Sequence, residues 1–280
     1  MKKIVILTYR SQTSYLLINQ LLKDYEVALI VFERRSFRRK LSLLNRRLKR
    51  LGIWRVGRQS LFLLWDRLFI VPASKEQIRQ LLKDRDVSHP PHHIKTLDVP
   101  DINATEVLDA VRSAGPACGV VSGTSLLRDP LIKNVPVLLN LHVGITPRYR
   151  GVHGGFWAVY EGRPELAGVT IHQIDKGIDT GGIVAQANIR AEPSDTYRTL
   201  PVKQFLLGVP VMVEAVKKVL AGTHQTYSRT DLESKIWHSP TIGEYLEFHR
   251  RLKTVGKSHA IGLVGGVISE AVEMPSRQQE

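Results

Sequence analysis

Val135-Pro-Val-Leu-Leu-Asn140-Leu-His142 is an apolar run that ends in an amide and an imidazole. The run predicts a buried strand, and Asn140 and His142, two residues apart in extended chain, would point to the same side of it. A second segment follows: Gly168-Val-Thr-Ile-His-Gln-Ile-Asp175-Lys-Gly-Ile-Asp179-Thr-Gly-Gly182. Its glycine-rich turn places a carboxylate after another apolar run. An amide, an imidazole and a carboxylate in this order predict an active site.

Outside this stretch, apolar runs alternate with segments of helical periodicity. The runs at 3–8, 27–32 and 118–121 predict strands, and the segments between them predict helices. This alternation predicts an α/β domain with a doubly wound, mostly parallel, Rossmann-like sheet. Ligands bind outside the carboxyl ends of the strands in such sheets, and Asn140 and His142 fall at that end of their strand.

We expect three parts along the chain. Residues 1–190 form the catalytic domain, residues 191–222 hold a closing helix, and residues 223–280 form a small C-terminal extension with a disordered tail. A basic helical insertion, residues 33–72, interrupts the first part. Its apolar residues recur at steps of four and three, which predicts an amphipathic helix that ends near Gly52. These residues are Phe37, Leu41, Leu44, Leu48 and Leu51.

The charge of the chain is concentrated in that insertion. The 280 residues carry a net charge of +14, and the segment 34–58 holds eleven basic residues and no acidic one, so the rest carries only +3. Three interpretations of the segment stay open: a solvated face packed through its leucines, a membrane-surface helix, or a contact for anions. The scattered aromatics Phe37 and Trp54 do not resemble a base-stacking array, so nucleic acid is a weaker expectation.

Composition indicates the compartment. The single cysteine, Cys118, excludes an internal disulfide and fits a reducing environment. The N-terminal apolar run is too short for a secretory signal, and no run of about 18 apolar residues appears. We expect a cytoplasmic protein, with peripheral contact at the inner membrane face through 34–58 and a homodimer as open possibilities. His89, His92 and His93 lie in a Pro-Pro loop and favour solvated side chains, so we expect no metal site.

The trio suits the attack of an amine on a formyl carbon. Charge develops on the carbonyl oxygen, to which Asn140 and a protonated His142 can donate hydrogen bonds. Asp179 would orient His142, favour its charged form and help remove the proton from the attacking nitrogen. Asp175 is the competing carboxylate, and we expect it to shape the turn instead. This chemistry needs neither a metal nor a covalent nucleophile.

The motifs Asn140-x-His142, Pro147-x-Tyr-Arg-Gly151 and Gly177-Ile-Asp-Thr-Gly181 resemble those of the folate-dependent formyltransferases. That family includes methionyl-tRNA formyltransferase, glycinamide ribonucleotide formyltransferase and the amino-sugar N-formyltransferases. The resemblance implies N10-formyltetrahydrofolate as donor and Asn140, His142 and Asp179 as catalytic residues. It also implies donor contacts from two segments, made of Gly123, Thr124, Ser125, Leu126 and Leu127, and of Ile174, Asp175 and Lys176.

The acceptor follows from finer features. The turn after the first strand, residues 8–13, contains no glycine, so the phosphate-cradling loop of the glycinamide ribonucleotide enzymes is not expected. The pattern His142-x-Gly-x-x-Pro-x-Tyr-Arg-Gly151 resembles that of the glycan-modifying relatives. We therefore expect an anionic small-molecule amine, a nucleotide-linked amino sugar, as acceptor. Candidate contacts are Arg10, Arg148, Tyr149, Arg150, His153 and Trp157, although Trp157 equally fits a packing role. Formylation of a charged transfer RNA and a scaffold protein without turnover are the alternatives.

Overall fold

A seven-stranded sheet forms the centre of the computed structural model, which describes residues 2–34 and 37–255. The strands lie in the order β3-β2-β1-β4-β5-β7-β8, and β6 pairs separately with β9. Their bounds are β1 Lys3–Thr8, β2 Glu26–Glu33, β3 Thr96–Val99, β4 Cys118–Val121, β5 Leu138–His142, β6 Arg150–Gly151, β7 Gly168–Gln173, β8 Ile183–Asn188 and β9 Ile236–Trp237.

Helices cover both faces of this sheet. They are α1 Gln12–Asp24, α2 Phe37–Trp65, α3 Val71–Leu82, α4 Thr105–Ala114, α5 Asp129–Ile132, α6 Gly154–Tyr160, α7 Thr199–Ala221 and α8 Ile242–Val255. Strands β1 to β5 pair in parallel, while β7 is antiparallel to both β5 and β8. The predicted class, a doubly wound and mostly parallel α/β sheet, is confirmed.

Strand β5 divides its side chains between the two faces of the sheet. Leu139 and Leu141 pack in a core with residues of α1 and α7, whereas Leu138 packs in a second core with residues of α4. Successive side chains of a strand point to opposite faces. Asn140 and His142 therefore share the face of Leu138, away from α7.

The basic insertion contains two helical segments, which together make up α2. Gly52, with φ 78° and ψ 160°, is not helical and separates the first segment from the second, which runs on to Trp65. It leads through a π-helical segment, Asp66–Ile70, directly into α3. The predicted end of the amphipathic helix near Gly52 is confirmed, and what the sequence did not predict is the second helical segment, whose Val56 and Phe62 are buried against the protein body.

A further core joins the insertion to the C-terminal part of the chain. Phe62 packs edge-on against Tyr197, with ring centroids 5.1 Å apart, and Phe156 stacks on Phe248 of α8 at 4.6 Å. Aromatic pairs of this kind stabilise beyond the area they bury. Residues of the insertion, α6 and α8 therefore share one hydrophobic cluster. The predicted disordered tail lies outside the described residues, beyond 255.

The closing helix expected within 191–222 is α7. It starts at Thr199, whose hydroxyl donates to Asp195 Oδ1 at 3.2 Å in the preceding turn, and ends at Gly222 with φ 74°. It packs on β5, β7 and β8. Across the described part of the chain, none of the helices combines the length and the apolar character needed to cross a membrane.

Candidate active site

Asn140, His142 and Asp179 meet at one point on the face of β5. His142 Nδ1 lies 3.5 Å from Asp179 Oδ2, and Asn140 Nδ2 donates to Asp179 Oδ1 at 3.3 Å. The side chain of His142 is 6% exposed and that of Asp179 is 13% exposed. The structure thus brings together the three residues that the sequence singles out.

The turn that carries Asp179 reaches this point by folding back along the sheet. Because β7 is antiparallel to β5, the turn leaves the sheet beside the start of β5, where Ile174 N donates to Leu138 O at 2.9 Å. Asp179 itself has φ 50°, in the left-handed region, which non-glycine residues seldom adopt. The carboxylate therefore approaches the face of β5.

Two neighbouring residues hold this turn in place. Gly151 N donates to Asp179 Oδ2 at 2.9 Å, and Arg150 Nε donates to Ile178 O at 2.7 Å. Arg150 also donates to Ser234 Oγ at 2.6 Å. These contacts maintain the uncommon backbone of Asp179 without help from a ligand.

Asp179 is ionised at neutral pH. Burial alone would raise the pKa of its carboxyl, but the nearby imidazole of His142, the hydrogen bond with His172 and the hydrogen bond from Gly151 N outweigh it and hold the pKa well below the usual range. A carboxylate with a low pKa binds a proton weakly. It is therefore better suited to stabilise positive charge on His142 than to keep a proton from the attacking amine.

The imidazole of His142 is held at both nitrogens. Its Nε2 lies 2.7 Å from the carbonyl oxygen of Tyr149, which can only accept, so Nε2 carries the proton. Its Nδ1 faces Asp179. Gly144 closes the space beside the ring, since a Cβ there would lie 2.7 Å from His142 Nε2 and 2.4 Å from Tyr149 O. The ring can reach a reacting oxygen only by exchanging one of these partners.

His172 is a fourth member of the site that sequence reasoning missed. It pairs directly opposite Asn140 in the β5–β7 ladder and is 3% exposed. Its Nδ1 donates to Gln173 O at 2.7 Å, and its Nε2 lies 3.0 Å from Asn140 Nδ2 and 3.5 Å from Asp179 Oδ1. The signal lay in the alternation of β7, but only the antiparallel register places His172 beside Asn140.

The predicted donor segment after β4 is shaped by a buried carboxylate. Glu33, 6% exposed at the end of β2, accepts from Ser125 N at 2.7 Å and from Ile102 N at 3.2 Å. Gly123 has φ 69°, and a Cβ there would lie 2.3 Å from the ring of Tyr9. Residues 123–127 therefore form an irregular segment of fixed backbone at the carboxyl edge of the sheet.

Within this segment the described side chains differ in exposure. Leu126 is 54% exposed, whereas Leu127 is 4% exposed and belongs to the core under α4. Thr124 Oγ1 donates to Ser125 O at 3.0 Å, so this hydroxyl braces the backbone.

The second predicted donor segment, 174–176, lies against the first. Lys176 Nζ is 2.8 Å from Asp129 Oδ2, just beyond residues 123–127, and Ile174 packs beside the core that includes Leu127. Asp175 Oδ1 accepts from Gly177 N at 2.9 Å and from Thr180 Oγ1 at 2.6 Å. Asp175 therefore shapes the turn, as expected, and Asp179 is the carboxylate that faces the imidazole.

Three of the predicted acceptor contacts have partners inside the protein. Arg148 forms ion pairs with Glu161 at 2.9 Å and Glu233 at 2.7 Å. Tyr149 is fully buried and donates to Glu161 Oε2 at 3.1 Å; burial raises the pKa of its hydroxyl. Trp157 is 1% exposed and stacks on Trp237. These contacts favour structural roles, and acceptor binding by these three residues stays a prediction.

The other three candidates lie nearer the carboxyl edge or the turn. Arg10 forms a bidentate pair with Asp98, at 2.9 and 2.6 Å, which raises the pKa of the guanidinium. His153 has φ 58° and its Nε2 lies 2.5 Å from Tyr197 Oη. Desolvation, with the nearby charge of Arg198, lowers the pKa of His153 to about 3, so it is neutral at neutral pH. Arg10 and Arg150 thus also have partners inside the protein, and acceptor binding by Arg10, Arg150 and His153 stays a prediction.

Metal binding was not expected from the sequence. Among residues 2–34 and 37–255, no three histidine, cysteine, aspartate or glutamate side chains are arranged to hold an ion.

The chain is similar to known formyltransferases. A family model described as formyl transferase matches residues 68–216, more than half of the chain. The methionyl-tRNA formyltransferase of Kosmotoga olearia is 29% identical over 179 residues, which are 62% of this chain and 57% of that protein. The chain thus spans little more than half the length of this curated relative.

Solved structures match over more of the chain. A sugar N-formyltransferase from Shewanella aligns over 90% of this chain and 88% of its own, with a TM-score of 0.55 and 13% identity. An N-formyltransferase from Helicobacter canadensis, solved with folinic acid and dTDP-3-aminofucose, aligns over 90% and 80%, with a TM-score of 0.53 and 14% identity. At these identities the likeness establishes the fold alone.

Proposed function

This chain belongs to the formyl transferase family, and on that premise we propose that it transfers a formyl group from N10-formyltetrahydrofolate to a primary amine. The observation that carries the proposal is the contact of Asn140, His142 and Asp179 at one buried point. An amide donor, an imidazole and an ionised carboxylate are the groups that acyl transfer to an amine requires. The trio is supported from the sheet on one side and from the Gly151 backbone on the other.

We assign Asn140 as a hydrogen-bond donor to the formyl oxygen, on which negative charge develops. Its Nδ2 carries two N–H groups, which point to His172 and Asp179 in this structure. If one of these N–H groups turns to the formyl oxygen, the other keeps its hydrogen bond and holds the amide in place. A donor of this kind contributes roughly 3–4 kcal/mol to transition-state stabilisation in enzymes where it has been removed.

His142 and Asp179 act as a pair. When charge builds on the formyl oxygen, Nε2–H of His142 exchanges Tyr149 O for that oxygen, while Nδ1 stays against the carboxylate. Catalytic hydrogen bonds often tighten only in the reacting complex. The low pKa of Asp179 favours an electrostatic role for this carboxylate. As the bond between the formyl carbon and N10 of the folate breaks, N10 takes up the proton that the attacking amine sheds, passed on through water that Asp179 orients.

The two irregular segments fit a folate donor. Residues 123–127 present backbone groups and the exposed side chain of Leu126, and the Lys176–Asp129 ion pair brings residues 174–176 against them. A flat, hydrogen-bonding pterin ring suits such a mixture of backbone and apolar surface. We propose that residues 123–127 and 174–176 hold the donor, which supplies the formyl group when bound.

For the acceptor we propose the amine of a nucleotide-linked amino sugar. The His142-x-Gly-x-x-Pro-x-Tyr-Arg-Gly151 pattern supports this choice. So does the glycine-free turn after β1, where Ser11 caps α1 by accepting from Ser14 N at 3.0 Å. The structural relatives that align over most of the chain include sugar N-formyltransferases. Arg10 and Arg150 would meet the anionic part of the substrate.

Methionyl-tRNA is the second candidate acceptor. The curated relatives carry the name methionyl-tRNA formyltransferase, and the basic segment 34–58 offers charge for phosphates. Binding of phosphates by basic side chains weakens steeply with salt. This candidate would be favoured if turnover fell steeply between about 50 and 200 mM salt with methionyl-tRNA as acceptor and with none of the other acceptors.

A panel of acceptors tests the proposal. The protein is mixed with N10-formyltetrahydrofolate and, separately, with nucleotide amino sugars, glycinamide ribonucleotide or charged initiator tRNA, and release of tetrahydrofolate is followed optically. We expect release with an amino sugar nucleotide, and loss of release in Asn140→Ala and His142→Ala. Absence of release with every amine would refute formyl transfer and favour the scaffold alternative.

A further inference from the structure

The outer face of the helical insertion is unusually apolar for an exposed surface. Of the twelve large apolar side chains that are exposed among the described residues, eight lie between 53 and 71. They include Trp54 at 85%, Leu61 at 57%, Leu64 at 55% and Leu68 at 58% exposure. A contiguous exposed apolar surface of this kind marks an interaction site. We propose that this surface, the outer face of residues 53–71, docks on an anionic lipid bilayer.

The insertion has two opposite faces. Val56, Gln59, Phe62, Asp66 and Ile70 are buried against the protein. The exposed set Trp54, Leu61, Leu64 and Leu68 is spaced by seven, three and four residues, which is one stripe of a helix. A helix that only covers the protein body would have polar residues along this second stripe. The outer face is therefore apolar for a reason other than packing within the chain.

The buried face holds the helix firmly to the body. Gln59 Nε2 donates to Ser239 O at 2.6 Å, and Asp66 forms an ion pair with Arg198. Phe62 contacts the rings of Tyr197 and Tyr245. The outer face is thus presented by a fixed helix and needs no unfolding to meet a flat surface.

Charge identifies the partner as an anion. Exposed basic side chains flank the stripe at Lys49, Arg50, Arg58 and Arg67, whereas Arg55 forms an ion pair with Glu244 of α8 at 3.0 Å. Between residues 34 and 75 the sequence has one acidic residue, Asp66, and its side chain is buried in the pair with Arg198. Apolar side chains with flanking cations are the composition of helices that lie in the interface of an anionic bilayer.

A second copy of the chain fits this surface poorly. In a two-fold contact the same patch faces itself, so the arginines of one copy would meet those of the other with no exposed acid in this stretch to neutralise them. Trp54, which is 85% exposed, is a residue type that lies at the headgroup level of membranes, and Phe69, which is 59% exposed, is of a type found on the apolar face of interfacial helices. The bilayer therefore suits both the charge and the side chains.

Vesicle binding by the full chain tests the proposal. The protein is sedimented with vesicles of phosphatidylcholine alone and with vesicles that also contain phosphatidylglycerol. We expect binding to the second only, weakened by salt because surface charges are screened. Burial of Trp54 should shift its emission to shorter wavelength, and Trp54→Phe should remove that shift.

Matched leucine variants separate this surface from the rest of the molecule. Leu64→Asp should lower vesicle affinity at least tenfold, since it removes apolar burial and adds a like charge. Leu246→Asp, on α8 with an equally exposed leucine, should leave affinity unchanged. Arg58→Gln should lower vesicle affinity about fivefold, because each basic residue near an anionic membrane surface contributes about 1 kcal/mol to binding. Circular dichroism of each variant establishes that it folds.

Several results would overturn the proposal. One is absence of binding to the anionic vesicles, and another is equal loss in Leu64→Asp and Leu246→Asp. A chain that dimerises through this face, becomes monomeric in Leu64→Asp and ignores vesicles would replace the bilayer by self-association. These outcomes do not depend on formyl transfer, because vesicle binding is measured without either substrate.

Discussion

Replacing Asp179 with asparagine removes the charge of the candidate site while keeping the shape of the side chain. The carboxylate is 3.5 Å from His142 Nδ1. At an effective dielectric constant of about 20, two unit charges at that separation attract by about 5 kcal/mol. If about half of that energy develops only as the imidazole gains charge in the transition state, kcat/KM should fall about 50-fold.

The assay is release of tetrahydrofolate at saturating donor, with the acceptor concentration varied. Asp175→Asn changes the carboxylate that accepts from Gly177 and Thr180 in the same turn, so at saturating donor its loss of activity measures the cost of disturbing the backbone of that turn. An Asp179→Asn enzyme within threefold of the native kcat/KM would refute the electrostatic role.

Acid titration gives the same substitution an independent readout. The pKa of Asp179 is lowered in the folded protein, so its contribution to stability is complete above the unfolded pKa of about 4. That contribution is lost as pH falls through the lower folded pKa. The stability difference between native and Asp179→Asn proteins, measured by urea unfolding, should therefore be largest at pH 7 and shrink below pH 4. A difference that stays constant with pH would contradict the assigned charge.

Three further substitutions test the surroundings of the site. Glu33→Gln leaves one side-chain oxygen to accept from the two backbone N–H groups of Ile102 and Ser125. The KM for the donor should therefore rise about fivefold with kcat unchanged. Calorimetric titration with a folate analogue checks the affinity. An unchanged KM would separate Glu33 from donor binding. Gly144→Ala places a Cβ 2.7 Å from His142 Nε2, so both activity and melting temperature should fall; normal activity would show that the loop adjusts. His153, with a folded pKa of about 3, is neutral in the folded protein, so stability should decline as pH falls from 6.5 toward 3, and His153→Gln should flatten that decline in urea titrations.

Much of the site could be predicted because it depends on the spacing of residues within single strands and turns. The spacing of Asn140 and His142 along one strand fixes that they share a face, whatever surrounds them. The Gly177–Gly182 turn similarly indicates a carboxylate held by unusual backbone. The position of Asp179 over the face of β5 could not be predicted, since it depends on β7 being antiparallel, and strand direction is not encoded in a single apolar run.

What was missed lies in long-range pairing. His172 joins the site only through its register with Asn140, and Glu33 reaches the donor segment through Ser125 N, 92 residues away in sequence. The second helical segment of α2, after the break at Gly52, was missed for the same kind of reason. It is held by burial of Phe62 in a core shared with α8. Local sequence patterns therefore predicted the catalytic residues, whereas the residues that hold them in place depend on tertiary contacts.

Arg150 and Gly151 give the C-terminal segment a part in the site. They form β6, which pairs with β9 at Ile236 and Trp237, while Arg150 also reaches Ser234. The same two residues hold the turn of Asp179. A minimal active fragment therefore cannot stop at the end of the family match, residue 216. A chain cut after α7 would retain the trio but lose the strand against which the Asp179 turn is fixed.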